Sequence, residues 1–257
     1  MQDIVAVIKE KLCEIERKLD VRIIYACESG SRAWGFASPD SDYDVRFVYV
    51  RRTEDYLRLE SVRDVIEYEL NDVYDITGWD LRKFLQLLRK SNPSALEWAR
   101  SDVVYRRTPD WERVLPCCRR HFSSQALMKH YVSMARNNVR SYLEGPQIPL
   151  KKYLYMLRPL LAAEWIRDHG SMAPMSFDAL AATELPDALK GEVARLLELK
   201  RQEGEMSMGE RIPSLDGFIL ERLEFFRSCL EGLEDEAPSS WDDLNACFAE
   251  LIGWRQA

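Results

Sequence analysis

"ESGSRAWGFASPDSDYDVRF" occupies residues 28–47 and places a glycine–serine bend and several aspartates ahead of an apolar run. Just before the bend, "VRIIYACES" is apolar, β-branched and aromatic, which predicts a buried strand over residues 21–29. Just after the aspartates, Val45, Phe47 and Tyr49 alternate with other residues at the spacing of a second strand. The stretch is therefore predicted to connect two strands through a charged bend.

Asp42 and Asp44 open the second strand and are predicted to point to the same face, because side chains two residues apart in a strand do so. Two carboxylates in one small volume repel each other unless a proton or a cation neutralises them. Mg²⁺ prefers oxygen ligands, and sites that handle nucleotides commonly hold it with carboxylates and substrate phosphates. The pair therefore predicts a magnesium site.

Gly30 and Ser31 supply a complementary feature at the end of the first strand. A strand that ends in Gly-Ser and continues into a short helical turn presents backbone N–H groups and a hydroxyl to an anion. Arg32 adds a positive charge beside the bend. Either feature alone is typical of an ordinary turn or loop, but the two together favour a phosphate and metal site.

The remaining periodic stretches predict further strands and then helices. Residues 63–79 resemble a hairpin with Asn71 and Asp72 at its turn, and Asp80 is a suitable N-cap for the helix that follows. From about residue 123 onward, every periodic stretch has helical spacing. The N-terminal segment is also predicted to be helical, with the apolar stripe Ile4, Ile8, Leu12, Ile15 and Leu19.

These elements predict an α+β protein with two domains. Residues 1–115 are expected to form a small mixed-sheet domain, and residues 116–257 an all-helical domain. No apolar run approaches the roughly 18 residues that a membrane-spanning helix needs. The N-terminus has charged residues between its apolar positions and lacks a signal-peptide pattern, so we expect a cytoplasmic protein with no membrane partner.

The charge of the chain is unevenly distributed. The 257 residues carry a net charge of −7, yet residues 119–158 contain eight lysines and arginines against Glu144 alone. A basic segment in an acidic protein predicts an anion-facing surface, and a solvated helical face is the alternative. The sequence has no GxxxxGK[ST], HExxH, Gly-x-Ser-x-Gly or GxGxxG motif, which argues against P-loop ATPase, zinc peptidase, serine hydrolase and dinucleotide oxidoreductase functions.

The pattern Gly30-Ser31-x3-Gly35 followed by Asp42-x-Asp44 resembles the nucleotidyltransferase superfamily that includes DNA polymerase β and the aminoglycoside nucleotidyltransferases. Three blocks narrow the resemblance: "ESGSRAWGFASPDSDYDVRFVYV", "ITGWDLRKFLQLLRKSNPSALEWARSDVVY" and "LKKYLYMLRPLLAAEWI" are similar to the YcgL/RlaP-type predicted nucleotidyltransferases, which are associated with RNA repair. The resemblance implies a polymerase-β-like catalytic domain and a helical domain that closes the nucleotide and acceptor cleft.

The resemblance also implies a third acidic metal ligand on a later strand. Asp75 in "DVYDI" is our choice, and Asp80 is the alternative, although helix capping accounts for it. Glu67 and Glu69 are weaker candidates, because a solvent-facing strand surface explains them. The expected set is therefore Asp42, Asp44 and Asp75 around two Mg²⁺ or Mn²⁺ ions, with an NTP phosphate group near Gly30, Ser31, Arg32 and Ser41.

The basic helix "LKKYLYMLRPLLAAEWI" is the second candidate region. Lys151, Tyr155 and Arg158 share one face, and Lys151 and Lys152 lie in the first turn, where the helix dipole disfavours cations. We expect the cations to contact a triphosphate or an acceptor backbone and Tyr155 to stack on a base. A solvated helix start is the alternative. Lys129, Arg136 and Arg140 are candidates for more diffuse contacts along the backbone of the acceptor.

The predicted function is Mg²⁺-dependent transfer of a nucleotidyl group from an NTP to an acceptor hydroxyl. The basic segment and the family association favour an RNA end as the acceptor, in RNA repair. Two alternatives stay open: transfer to a protein or a small molecule, and a catalytically silent sensor that binds nucleotide or RNA.

Overall fold

The computed structural model describes residues 3–203, 208–231 and 240–253. The chain divides into two compact units. Unit 1 contains Met1–Ala33, Asp42–Phe122 and Pro238–Ala257, and unit 2 contains Trp34–Ser41 and Ser123–Ala237. Among the helices in these described ranges, none is both long and apolar enough to span a membrane.

Unit 1 contains a sheet and the helices around it. Its strands are β1 (Arg22–Glu28), β2 (Tyr43–Val50), β3 (Val65–Leu70), β4 (Tyr74–Asp80) and β5 (Val104–Arg107). Its helices are α1 (Ile4–Leu19), α2 (Gly30–Ala33), α3 (Thr53–Tyr56), α4 (Leu81–Arg89), α5 (Pro93–Trp98), α6 (Pro109–Arg120) and α12 (Asp242–Leu251).

The five strands form one mixed sheet in the order β3-β4-β2-β1-β5. β2 and β4 are parallel, whereas the other neighbouring pairs are antiparallel. The predicted hairpin is present as β3 and β4, and Asn71 Oδ1 accepts the N–H groups of Val73 and Tyr74 at 2.9 Å each at its turn. This architecture confirms the predicted α+β fold class.

The apolar stripe of α1 covers one face of the sheet. Ile8, Leu12 and Ile15 are fully buried against strand residues that include Val45 and Phe47. The other face packs against helices, since Tyr25 stacks on Trp111 of α6 with ring centroids 4.1 Å apart. Both faces of the central strand β2 are therefore covered, which explains why its last four residues are all buried.

The C-terminal helix α12 belongs to unit 1, which differs from the expected simple division near residue 115. Its buried residues Leu244, Cys247 and Leu251 face unit 1, and Phe248 packs edge-on against Tyr56 at 5.1 Å. Backbone contacts add to this packing, because Arg22 donates to the carbonyl of Leu251 at 2.9 Å. Nonlocal apolar contacts of this kind leave no periodic signal that assigns a helix to one unit.

Unit 2 is mostly helical, with α7 (Ser124–Tyr142), α8 (Lys151–His169), α9 (Phe177–Glu184), α10 (Asp187–Glu203) and α11 (Pro213–Leu230). It also contains a two-stranded ribbon of β6 (Gln147–Pro149) and β7 (Met208–Glu210), so the expectation of an all-helical domain is corrected. Three-residue strands are too short to show an alternation in sequence. Gly209 is required in β7, because a Cβ there would lie 2.7 Å from the Leu150 side chain.

Candidate active site

The parallel pairing of β2 and β4 places Asp44 beside Asp75 in the same register. Both carboxylates accept a hydrogen bond from one atom, Arg46 Nη2, at 2.7 Å from Asp44 Oδ1 and 2.6 Å from Asp75 Oδ2. Asp80 pairs instead with Tyr49 near the other end of β4, and its side chain caps α4. The register therefore brings Asp75, and not Asp80, next to Asp44.

Arg46 is the centre of this charged group, and our sequence reasoning did not assign it a role. Its Nη1 also donates to the carbonyl oxygen of Asp75 at 2.7 Å. Burial opposes the ionisation of Asp75, but the hydrogen bond and charge of Arg46 lower the pKa of Asp75 below its usual range. The signal in the sequence was its position two residues after Asp44, which places both side chains on one face of β2.

Gly30 is pressed against Asp44, which ties the glycine–serine bend to the carboxylates. Its φ is +58°, a left-handed conformation that glycine adopts readily. A Cβ at this position would lie 1.9 Å from Asp44 Oδ2 and 2.7 Å from Asp44 Cγ. Ser31 follows at the start of α2 and is buried. The glycine–serine bend and Asp44 are therefore packed directly against each other.

Asp42 lies immediately before β2, and the bend holds its backbone. Arg32 Nε donates to the carbonyl oxygen of Asp42 at 2.9 Å, and the Arg32 guanidinium lies 3.8 Å from the centroid of the Tyr43 ring. The N–H of Ser29 donates to the carbonyl of Asp44 at 2.9 Å. These contacts connect the two ends of the quoted stretch around the half-buried Asp42.

Glu28 is a second residue that sequence reasoning missed. Its Oε1 accepts the N–H of Asp44 at 2.9 Å, and its Oε2 accepts the hydroxyl of Tyr105. Burial raises the pKa of Glu28 to about 7. Its signal was an acidic residue at the end of an otherwise apolar strand. Glu28 thus positions the backbone of the strand that carries Asp44.

The described residues contain no group of three or more His, Cys, Asp or Glu side chains that could hold a metal ion as arranged. The Arg46 guanidinium is the cationic partner that Asp44 and Asp75 share. Of the three expected carboxylates, Asp44 and Asp75 therefore adjoin each other, and Asp42 lies on the segment that leads into β2.

Comparison with known proteins places the chain in a family. The family RlaP, described as "RNA repair pathway DNA polymerase beta family", matches residues 4–250. The chain belongs to the RlaP family. "Uncharacterized protein YcgL" of Bacillus subtilis (strain 168) is 44% identical over 245 residues, which cover 95% of this chain and 94% of that protein. The resemblance inferred from the three sequence blocks is thus confirmed.

One solved structure is a more distant match to this RlaP family member. The crystal structure of a nucleotidyltransferase-like protein from Exiguobacterium sibiricum 255-15 covers 97% of this chain and 81% of that chain. The identity is 15% and the TM-score is 0.33. Family membership and the α+β fold together indicate a polymerase-β-like protein of nucleotidyltransferase type.

The remaining candidate residues of the RlaP chain lie in unit 2. Ser41 is buried in a tight turn, where its Oγ accepts the N–H of Ser38 at 3.0 Å and lies 2.9 Å from Ser38 Oγ. Lys151 and Lys152 begin α8, and Lys152 Nζ lies 4.4 Å from the centroid of the Tyr142 ring. The predicted lysine pair is therefore at the helix start, and Lys152 packs on an aromatic face of α7.

Tyr155 and Arg158 contribute to an aromatic cluster within unit 2. Tyr155 packs edge-on against Trp34, with ring centroids 5.7 Å apart, and it also contacts Phe36. The Arg158 side chain is buried, and its guanidinium lies 4.3 Å from the centroid of the Trp34 ring. Trp34 and Phe36 were not predicted as partners of α8, because they come from a loop more than one hundred residues earlier in the chain.

Proposed function

We propose that this RlaP family member transfers a nucleotidyl group from an NTP to an acceptor hydroxyl at the end of an RNA. The observation that carries the proposal is the placement of Asp44 beside Asp75, with Gly30 pressed against Asp44. Carboxylates that converge at a glycine bend suit a site for cations and phosphates. The family's description supports RNA repair as the context.

The donor set fits Mg²⁺ or Mn²⁺. Asp44 and Asp75 already take a cationic group between them, at oxygen–nitrogen distances of 2.7 and 2.6 Å, and carboxylate oxygens are hard donors of the kind these ions prefer. We propose that Asp42, Asp44 and Asp75 hold two such ions. When bound, the ions would lower the pKa of the acceptor hydroxyl and neutralise charge on the leaving pyrophosphate.

The reaction we propose is an in-line displacement at the α-phosphorus. The acceptor oxygen forms a new bond to this phosphorus while the bond to the pyrophosphate oxygen breaks. The hydroxyl proton goes to a carboxylate, and Asp75 is our candidate because it lies beside Asp44 on the neighbouring strand. Gly30, Ser31 and Arg32 are proposed to hold the pyrophosphate.

Unit 2 is proposed to recognise the nucleotide and the acceptor. Lys151 and Lys152 are our candidates for phosphate contacts and Tyr155 for base stacking, with Ser41 shaping the adjoining turn. The burial of Arg158 against Trp34 favours a supporting role, in which the guanidinium holds the tryptophan ring in place.

The RNA part of the proposal is supported by a groove of about 330 Å³ in unit 2. Lys129, Ser133 and Arg136 of α7 line it together with Arg227 and Glu231, which pair with each other at 3.2 Å. Positions 129, 133, 136 and 140 fall on one face of α7, so Arg140 extends the same basic track. Basic side chains at this spacing suit a phosphate backbone. The slope of log affinity against log salt is negative, and replacing Lys129 and Arg136 with Gln should reduce its magnitude by about 0.7 per lost contact.

A silent nucleotide or RNA sensor is the second candidate function. The observation that favours it is the Arg46 guanidinium, which neutralises Asp44 and Asp75 without a metal ion. A sensor would bind NTP or RNA and release it unchanged. The experiment below separates the two functions.

The test is incubation of the protein with each α-labelled NTP, Mg²⁺ or Mn²⁺, and total RNA. We expect label in RNA and release of pyrophosphate, both lost in Asp44→Asn and Asp42→Asn. The matched control is Asp20→Asn. Asp20 is the exposed C-cap of α1, and its φ of +51° is a conformation that asparagine tolerates. It lies just before the first residue of β1, whereas Glu28 is the last residue of that strand.

Each outcome of this test has a distinct meaning. Label in protein or in a small molecule would replace RNA as the acceptor but keep nucleotidyl transfer. Binding of NTP without release of pyrophosphate would support the sensor. Unchanged turnover in Asp44→Asn would remove Asp44 from the mechanism.

A further inference from the structure

We propose that Arg46 is an internal counter-ion that a divalent cation must displace, so that binding of metal and NTP is coupled. This inference rests on the proposed function, because it concerns the same carboxylates. Arg46 Nη2 donates to Asp44 Oδ1 and to Asp75 Oδ2, while Nη1 donates to the Asp75 carbonyl at 2.7 Å. One guanidinium thus satisfies both acidic side chains.

The metal-free arrangement is favourable in itself. The exposed fractions of the Asp44 and Asp75 side chains are 20% and 29%, and that of Arg46 is 16%. Two partly buried carboxylates in adjacent register would repel each other strongly without a positive group between them. Arg46 supplies that charge, and its hydrogen bonds are of the charge-assisted kind. The protein therefore needs no metal ion to stabilise this corner of the sheet.

The guanidinium and a shared metal ion exclude each other. A Mg²⁺ ion that Asp44 and Asp75 held jointly would stand about 2.1 Å from its oxygen ligands. The same oxygens already lie 2.7 and 2.6 Å from Arg46 Nη2, so the ion and the nitrogen would occupy nearly one place and repel each other. Metal binding is consequently an exchange of one cation for another, which lowers the affinity for free metal.

A displaced guanidinium needs a new anionic partner. Arg46 and Asp44 lie on the same face of β2. An NTP that binds together with its metal would bring phosphate oxygens close to the Arg46 guanidinium, and these oxygens can replace the carboxylates as its hydrogen-bond partners. Metal alone offers the guanidinium no such partner. Arg46 therefore makes the site favour metal and nucleotide together over metal alone.

The test measures Mn²⁺ binding to the full chain by calorimetry and by electron paramagnetic resonance, with and without a non-hydrolysable NTP. Removing the competing cation in Arg46→Met should tighten binding of Mn²⁺ alone about tenfold or more. It should also reduce the enhancement that the NTP analogue gives in the wild-type protein. Arg46→Lys, which keeps the charge but carries it on a single nitrogen, should be intermediate.

Arg106→Met is the matched control, because Arg106 of β5 is a similarly half-buried arginine. It pairs with Glu16 of α1 at 2.6 Å. This variant should leave Mn²⁺ binding unchanged. A circular dichroism melt of each variant checks folding, and Arg46→Met should be less stable than wild type without metal and gain more from Mn²⁺.

The outcomes separate this inference from the proposed function. If the wild-type protein binds Mn²⁺ and folded Arg46→Met binds it no more tightly, the inference is wrong while the proposed function stands. If neither protein binds Mn²⁺, even with the NTP analogue present, the metal-dependent function fails and this inference fails with it.

Discussion

Single residues decide the geometry of the carboxylate pair. Gly30 is the clearest case, because the space for its side chain is already filled by Asp44. Asp75 and Arg46 are both charged residues within predicted strands, but only Asp75 was assigned a role, and that assignment came from the family resemblance. The resembled family uses an acidic residue on a later strand as a metal ligand. The partners of an arginine on a strand cannot be predicted until the neighbouring strand and its register are known.

We expect Gly30→Ala to destabilise the protein more than its conformation alone explains. The left-handed backbone costs an alanine about 1–2 kcal/mol, and the overlap with Asp44 should add about 1–3 kcal/mol. Gly170→Ala is the matched control, with φ +60° and no atom within 4 Å of the added Cβ. Urea denaturation measures both. Equal losses in the two variants would show that Gly30 is not packed against the carboxylate.

Glu28 should make stability depend on pH. Burial raises the pKa of this carboxyl from 4.5 to about 7, so its ionisation is disfavoured in the folded protein. The stabilising contribution of the neutral form is complete below pH 4.5 and is lost as the pH rises through about 7. The free energy of unfolding should therefore fall by as much as about 3 kcal/mol across this range relative to Glu28→Gln.

Denaturation of both proteins at several pH values tests this dependence. Glu10→Gln, an exposed substitution on α1, is the control and should follow the wild-type pH profile. A parallel pH profile in wild type and Glu28→Gln would mean that Glu28 is ionised in the folded protein as readily as in water.

At the scale of elements, the pairing of β2 with β4 is decisive. This pair is parallel although the sheet is otherwise antiparallel, and its register alone sets Asp44 beside Asp75. The hairpin, the caps and the α1 stripe depend on neighbours within a few residues, which is why their patterns could be predicted. The parallel pairing depends on contacts across the whole connection and has no local signal.

Gly78 permits this close pairing, and Gly78→Ala should weaken it. A Cβ on Gly78 would lie 2.1 Å from the ring of Phe47, its register partner on β2. We expect a loss of roughly 1–3 kcal/mol from overpacking. Gly217→Ala in α11, where the added Cβ meets no atom within 4 Å, should instead gain up to about 1 kcal/mol. Urea denaturation gives both values. Unchanged stability in Gly78→Ala would contradict the tight packing of this pair.

At the scale of the whole molecule, the chain crosses between its two units more than once. The loop Trp34–Ser41 belongs to unit 2 and the C-terminal helix α12 to unit 1. The loop is placed by its aromatic residues, since Phe36 packs edge-on against Phe177 of α9 at 5.6 Å. This loop thus contributes side chains to the core of unit 2.

Leu244→Ala should loosen unit 1 selectively. Leu244 of α12 is buried, and its truncation should cost about 2–5 kcal/mol. Hydrogen exchange should accelerate in α6 and β1 and stay slow in α8. Leu220→Ala, at an exposed position of α11, is the control and should change neither unit. Acceleration in α8 equal to that in α6 would contradict the assignment of α12 to unit 1.

The strands around the bend, the hairpin turn, most of the longer helices and the family could be predicted from the amino-acid order, because each depends on residues that are close together or on short motifs. The folded structure was needed to show that Asp75 adjoins Asp44, that Arg46 lies between them, and that α12 packs with the N-terminal sheet. These outcomes depend on strand register and on burial between distant segments. Local propensity cannot encode them, since the free energy that selects them comes from contacts formed only when the chain has folded.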